Sequence, residues 1–240
     1  MDTCKGTAGV ILLMTLALGA GCGRAVLPPL ETELPRGIGT GVAVNPRDGR
    51  AWLTCAGRNR VYCTCPDGRT GEFEVGRRPC AVAVDGRTGT AWVANYLDHT
   101  VTMVDCAARA TRTFRVGRYP RALAVDERRG RVFVATCGCP ALSVIDLRTA
   151  TVTTVELGFR PFAAAWDDER DELWLADFRG ERLRVLDAEL EEDRQVEVWL
   201  RPWVLAADPA HGRVLCTGYL SDRLVVVDPV SYTHLRAHET

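Results

Sequence analysis

Short runs of β-branched and aromatic residues, separated by Gly, Asn and Asp, recur along most of the chain. One stretch shows the pattern clearly, with apolar runs at 81–84, 91–94, 101–104 and 111–116. Such runs predict β-strands, and the residues between them are those that tight turns require. Every connection in this stretch has hairpin length. The pattern therefore predicts four consecutive antiparallel strands with no helix between them.

The same pattern repeats with a period of 41 residues. Four series keep this step: Pro79, Pro120, Pro161 and Pro202; Asp85, Asp126, Asp167 and Asp208; Trp92, Phe133, Trp174 and Leu215; Asp105, Asp146, Asp187 and Asp228. An earlier copy, with Asn45, Trp52 and Cys65 in the matching places, is one residue shorter. Four strands per repeat are typical of a β-propeller blade, which needs neighbouring blades to cover both of its faces. We predict an all-β propeller of four-stranded antiparallel blades, with five blades in this sequence.

The residues of one copy also resemble a known repeat family. Trp92-Val93-Ala94-Asn95, the segment 100–105 and Val116-Gly117-Arg118-Tyr119-Pro120 are similar to the YVTN repeat. The resemblance covers residues 36–229, although the first copy departs at Cys65 and the fifth at Gly218. It implies a WD40-like propeller of about seven blades in the superfamily of the quinoprotein amine dehydrogenase β chain. Extracytoplasmic surface-layer and binding proteins belong to this family, and lactonase-like enzymes are related to it.

The first 35 residues have the features of an export signal. Lys5 precedes an apolar run that is too short to span a bilayer, and a bacterial lipobox-like sequence ends at Cys22. We predict a signal peptide at 1–21, lipidation of Cys22 and a linker at 22–35. The predicted location is periplasmic or at the cell surface, with the membrane reached through the lipid. The segment 30–34 alternates like an outermost strand, so closure of a five-bladed ring is the alternative to seven blades.

The segment 230–240 breaks the repeat and resembles the in-frame translation of a sequencing adapter. We predict that it is an artefact and that the natural gene continues after residue 229. The propeller proper is thus expected at 36–229.

Composition limits the partners that the protein can have. The chain has 240 residues, 47% of them hydrophobic, and a net charge of -1, so a globular core is expected and nucleic acid is not an expected partner. Eight of the ten cysteines follow Cys22, and export exposes them to an oxidising compartment. A disulfide between Cys55 and Cys63 across the first hairpin is the favoured interpretation. The alternative is a thiolate cluster of Cys55, Cys80, Cys137 and Cys139; no metal and no cofactor is predicted.

Arginines in the links between repeats are the candidate ligand-binding residues. They are Arg77, Arg78, Arg118, Arg160 and Arg201, each just before the innermost strand of a blade. Repetition would place them on one face around the mouth of the central channel, where guanidinium groups bind anions in bidentate fashion. The alternative is that they are solvated loop residues.

No catalytic residue can be assigned from the sequence. His99 and His211 fall in turns at opposite ends of the blades, and serines are too few for an acyl-transfer triad. We predict a binding or protein-interaction scaffold whose partner is a protein or a small anionic ligand. The alternatives are a metal-dependent lactonase-like hydrolase, with Asn95, Asp98 and Asp177 as oxygen ligands, and the propeller part of a redox protein with a cytochrome-like domain.

Overall fold

The computed structural model describes residues 39–191, 193–229 and 234–236. The predicted signal peptide at 1–21, the lipidation site Cys22, the linker at 22–35 and the closure strand at 30–34 lie outside these residues. No helix within the described ranges is long and apolar enough to cross a membrane.

Five four-stranded sheets, called blades 1 to 5, follow one another along the described chain. Blade 1 contains β1 (Gly39–Val44), β2 (Ala51–Cys55), β3 (Arg60–Thr64) and β4 (Thr70–Glu74). Blade 2 contains β5 (Pro79–Val84), β6 (Ala91–Asn95), β7 (Thr100–Asp105) and β8 (Ala110–Arg115). Blade 3 contains β9 (Pro120–Asp126), β10 (Arg131–Thr136), β11 (Ala141–Asp146) and β12 (Thr151–Glu156). Blade 4 contains β13 (Pro161–Asp167), β14 (Glu172–Asp177), β15 (Arg182–Leu186) and β16 (Asp193–Glu197). Blade 5 contains β17 (Pro202–Asp208), β18 (Arg213–Gly218), β19 (Leu224–Val227) and β20 (His234–Arg236), with a short 3-10 helix, Pro209–His211, after β17.

Each blade is an antiparallel meander in which sequence neighbours pair, as the hairpin-length turns predicted. The first strands of successive blades contact one another, so β1, β5, β9, β13 and β17 form the inner layer. The outermost strand of blade 5 is β20, which pairs with β19 although it lies in the segment 230–240. The foreign origin of that segment stays a prediction.

Alternate residues of a strand point to opposite faces of its blade, so the two faces pack against different neighbours. Trp52, Trp92 and Trp174 occupy the same register of the second strand and are at most 1% exposed. Each packs in a core shared between its own blade and the next. These tryptophans therefore fill the wedges between blades.

The outward faces of the first and last blades have no blade on them in the described part of the chain. Leu215 takes the tryptophan position in blade 5 but is only half-buried, and Val204 and Leu224 on the same face are exposed. On blade 1, Val42 and Val44 are more than half exposed. Apolar side chains on these faces are typical of blades that pack against a further blade.

The repeated aspartates at the ends of the first strands are turn residues. Asp85 and Asp126 are at most 1% exposed, and each accepts backbone N–H bonds from residues two or three positions later. Asp167 accepts the N–H of Glu169 in the same way, at 3.0 Å. Their recurrence therefore reflects the geometry of the turn.

Candidate binding face

The links between blades and the turns between second and third strands lie at the same end of the blades, which we call the link end. Backbone hydrogen bonds tie each link to a turn: the N–H of Tyr96 donates to Arg78 at 3.1 Å, and that of Tyr219 to Arg201 at 2.8 Å. The N–H of Cys137 donates to Tyr119 at 3.1 Å. Side chains from the two kinds of loop are therefore held next to one another.

The two predicted arginines of the first link contact their neighbouring turn. Arg77 forms an ion pair with Asp98, which also accepts the Arg77 backbone N–H at 2.6 Å. These two donors, the backbone N–H first, lower the pKa of Asp98. The guanidinium of Arg78 lies 5.2 Å from the ring centroid of Tyr96. Both side chains are exposed.

The other three predicted arginines are also exposed at the link end. Arg118 lies 5.6 Å from the ring centroid of Tyr119, and Arg201 lies 3.7 Å from a carboxylate oxygen of Glu181. Arg160 lines a shallow cleft of about 420 Å³ with Asp177 among its other walls. Four of the five predicted arginines thus have a carboxylate or an aromatic ring beside them.

A cluster of aromatic side chains from blades 4 and 5 forms part of the link end. Its members, called the aromatic cluster, are Phe162, Phe178, Trp203 and Tyr219. Phe162 stacks on Phe178 with centroids 4.8 Å apart, and Trp203 lies 4.6 Å from Tyr219. Phe162 and Trp203 come from the start of the innermost strands, whereas the other two follow the second strands.

A second aromatic contact lies between blades 2 and 3. Tyr96 stacks on Tyr119 with centroids 5.0 Å apart, and His99 meets the edge of Tyr119 at 4.8 Å. The His99 Nδ1 accepts the backbone N–H of Tyr119 at 3.1 Å. His99 is therefore engaged in holding the link to blade 3, while His211 pairs with Asp208 at the opposite end of blade 5.

Arg121 is a functional candidate that the sequence reasoning missed. Its guanidinium carbon lies 3.9 Å from the ring centroid of Phe162 and 4.1 Å from that of Trp203. One further 41-residue series contains the signal, since the residue after each repeated proline is Cys80, Arg121, Phe162 or Trp203. A search for recurring residue types passes over a position whose residue changes from blade to blade.

Exposed apolar side chains distinguish the link end from the opposite end. In the described loops, the large apolar residues that are more than a third exposed are Leu97, Trp199, Tyr219 and Leu220, and all four are at the link end. Trp199 is 73% exposed and has φ +48°, where the preceding link has Gly158 at +71°. A tryptophan in this left-handed backbone region is strained, because its Cβ crowds the backbone.

The structure separates the predicted pair Cys55 and Cys63. In the β2–β3 register Cys63 lies opposite Trp52, whereas Cys55 lies opposite Arg60. The two cysteines are therefore three ladder positions apart, roughly 10 Å along the strands, and on opposite faces of the sheet. The Sγ of Cys63 instead lies 3.2 Å from the Sγ of Cys106 in blade 2. Both are free thiols.

Two of the alternative metal ligands make local hydrogen bonds, although the Oδ1 of Asn95 is buried without a hydrogen-bond partner. The Asn95 amide donates to the hydroxyls of Thr100 and Thr102, at 3.0 and 2.8 Å, and Asp177 accepts the backbone N–H of Gly180. Across the described ranges, no three His, Cys, Asp or Glu side chains are grouped so that they could hold a metal ion.

The radial sheets and their shared cores define this chain as a β-propeller, and solved structures support the assignment. The chain is similar to a nidogen/laminin complex structure (TM-score 0.73, 12% identity, covering 83% of this chain and 79% of that one). It is also similar to a catalytically inactive virginiamycin B lyase from Staphylococcus aureus with quinupristin (TM-score 0.72, 14% identity, 85% and 71% covered). A streptogramin B lyase gives a TM-score of 0.74 at 12% identity, with 85% and 70% covered. No protein-family model and no curated protein sequence matches the chain.

Proposed function

We propose that this propeller is a binding scaffold that recognises a protein partner through its link end. The observation that carries the proposal is the location of the exposed apolar loop residues. Leu97, Trp199, Tyr219 and Leu220 lie at this end, and Tyr219 belongs to the aromatic cluster. Tryptophan and tyrosine supply much of the free energy of binding in protein interfaces.

The backbone of Trp199 and Leu220 adds support from energetics. Both residues have φ near +50° and large exposed side chains, 73% and 90% exposed. Neither the strain nor the exposure contributes to the stability of the folded chain. Nine other non-glycine residues in the described turns and links have φ between +50° and +63°, so the size and exposure of the Trp199 and Leu220 side chains set these two apart. A contact with a partner would cover these exposed side chains.

Related architecture is compatible with this function. Nidogen, one of the structural neighbours, is seen in a complex with laminin. The lyase neighbours use the same fold for another purpose, so the fold itself does not assign the role. The arrangement of side chains at the link end carries the assignment here.

We further propose that the protein works outside the cytoplasm, as a YVTN-type propeller anchored through lipid on Cys22. The export-like segment before Cys22 and the lipobox-like sequence support this location. The uncovered apolar faces of blades 1 and 5 support a native ring of about seven blades rather than five.

The experiment selects peptides from a random-peptide display library on the immobilised chain and measures the affinity of enriched peptides by calorimetry. Trp199→Gly and Leu220→Ser test the link end. Arg87→Ser, an exposed change in the β5–β6 turn, is the matched control at the opposite end. We expect enriched peptides to bind Trp199→Gly about tenfold more weakly, as for an interface anchor.

The control should bind the same peptides with unchanged affinity. Enriched peptides that bind Trp199→Gly and Leu220→Ser as tightly as the original chain would contradict the proposal. So would a selection in which peptides respond to Arg87→Ser alone.

A further inference from the structure

The guanidinium of Arg121 packs against two aromatic rings near the start of β9. The centroids of Phe162 and Trp203 are 4.7 Å apart, and both lie about 4 Å from the Arg121 guanidinium carbon. Because the rings are so close to each other, they cover the same side of the guanidinium.

Arg121 lacks the carboxylate partner that several other partly buried arginines have. Arg131, Arg170 and Arg194 each have a carboxylate oxygen within 3.0 Å. Among the described residues, no carboxylate forms an ion pair with Arg121, and its Nε is buried without a hydrogen-bond partner. The terminal nitrogens are not fully enclosed.

The neighbouring ionisable groups from blades 2 and 3 do not neutralise the guanidinium. Cys80, Cys137 and Tyr96 interact with its charge, but burial raises the pKa of each, that of Cys80 to about 11. All three are therefore uncharged at neutral pH. Arginine stays protonated in proteins, so Arg121 keeps a half-buried positive charge. The two rings offset part of the cost of desolvation through cation–π attraction, and an anion would offset more.

The surrounding rings restrict which anion fits. Phe162 and Trp203 continue into Phe178 and Tyr219, so the guanidinium borders a wall of four rings. An aromatic ring of a ligand can stack on such a wall, while a carboxylate on that ring accepts two parallel hydrogen bonds from a guanidinium.

We propose that Arg121, Phe162 and Trp203 form a site for a small aromatic carboxylic acid at the link end, near the starts of the inner strands. This inference rests on the proposed function, in that it names a ligand for the same end of the propeller. It assigns the charge-recognising role to Arg121 rather than to the five arginines of the links.

The test titrates the folded chain with phenylacetate, phenylacetamide and acetate by calorimetry. Phenylacetamide keeps the ring without the charge, and acetate keeps the charge without the ring. We expect phenylacetate to bind about tenfold more tightly than either, because a charge-assisted bidentate pair adds more than 1 kcal/mol. Inorganic phosphate is the fourth probe.

Arg121→Gln should abolish the preference for phenylacetate and leave phenylacetamide binding unchanged. Arg112→Gln is the matched control, because Arg112 also lies over a ring, Phe114 at 4.9 Å, but on an outer strand. If Arg121→Gln fails to fold, Arg121→Lys takes its place, because it keeps the charge and removes the planar guanidinium. It should lower the affinity for phenylacetate by a similar factor.

Equal affinity for phenylacetate in the original chain and in Arg121→Gln would overturn the proposal. Arg121-dependent binding of phosphate without binding of phenylacetate would overturn it as well. Peptides selected on the link end test the proposed function separately, since their affinity depends on Trp199 and Leu220.

Discussion

Asp126 and Arg131 form a buried ion pair that also joins two blades. The Arg131 Nη2 lies 2.8 Å from the Asp126 carboxylate, and its Nη1 donates to the carbonyl oxygen of Ala188 in blade 4 at 2.7 Å. Asp126 is fully buried, and it also accepts the backbone N–H of Arg129. The repeated aspartate thus holds a turn and a contact between blades.

Replacement of Asp126 by Ala should lower the free energy of unfolding by about 3 kcal/mol, because it leaves the guanidinium of Arg131 without its carboxylate. Urea denaturation measures the change. The control is Asp105→Ala, which removes one turn acceptor from a half-buried site and should cost about 1 kcal/mol or less. A loss below that of the control would contradict the structural role, and so would weaker peptide binding in well-folded Asp126→Ala.

Cys63 and Cys106 should form a disulfide when the protein is oxidised, because their Sγ atoms lie 3.2 Å apart. Two thiols lose two protons and two electrons to the oxidant. The reaction should be slow in the folded chain, since burial first, and then the hydrogen bond to Cys106, raise the pKa of Cys63 to about 12. Mass spectrometry of peptides after diamide treatment detects the link.

The closed loop of this disulfide would stabilise the fold by about 4 kcal/mol in the chain-entropy model. Cys63→Ser should show neither the link nor the gain in stability. Persistence of free Cys63 and Cys106 after complete oxidation would contradict the prediction.

Acid should destabilise the propeller through its paired aspartates. Several carboxylates have a lowered pKa in the folded state, each through hydrogen bonds: Asp98, Asp146, Asp171 and Asp208. Their contribution to the free energy of unfolding is complete above the pKa of aspartate in the unfolded chain, about 3.9. It is lost as the pH falls through the lower pKa of the folded state. Asp168 acts in the opposite direction, because burial raises its pKa.

Asp98→Asn should therefore lose less stability than the original chain between about pH 5 and pH 2, since its side chain never carries the charge that Arg77 favours. Urea midpoints across this range measure the difference. Arg87→Ser, which changes no carboxylate, is the control and should follow the original curve. Identical acid sensitivity of Asp98→Asn and the original chain would show that this pair contributes nothing.

Trp199→Gly should stabilise the fold by about 1 kcal/mol, because glycine adopts a positive φ without the steric cost of a Cβ. Little buried area is lost, as the side chain is 73% exposed. Leu220→Gly, at φ +52°, should behave in the same way. Thermal unfolding measures both. The control is Leu97→Gly, which has no positive φ and should be destabilised; a destabilised Trp199→Gly would refute the strain argument.

Periodicity alone was sufficient to predict the propeller. Proline, aspartate and tryptophan recur because turns and wedges between blades require them, and the structure places Pro120, Asp126 and Trp92 accordingly. The side-chain contacts between blades could be found only from the structure. Cys63 meets Cys106, 43 residues later, because of how blade 1 packs on blade 2, and the hairpin register of blade 1 carries no sign of it.

Arg121 illustrates the same limit for the binding face. The sequence placed arginines near the channel mouth, but it could not show which guanidinium lacks a carboxylate. The surroundings of each guanidinium depend on distant side chains, and those of Arg121 include Phe162 in blade 4 and Trp203 in blade 5, which are 41 and 82 residues away. A position where the residue type changes between repeats is free of the constraints that make the others recur.

The cores shared between adjacent blades mean that no single blade is a folding unit. Unfolding of one blade would expose the apolar faces of the blades packed against it, so unfolding is cooperative between adjacent blades. Blades 1 and 5 each have one covered face and should open first, with amide hydrogen exchange slowest in blade 3. A ligand held by Arg121 would thus be bound by the blade that opens least often.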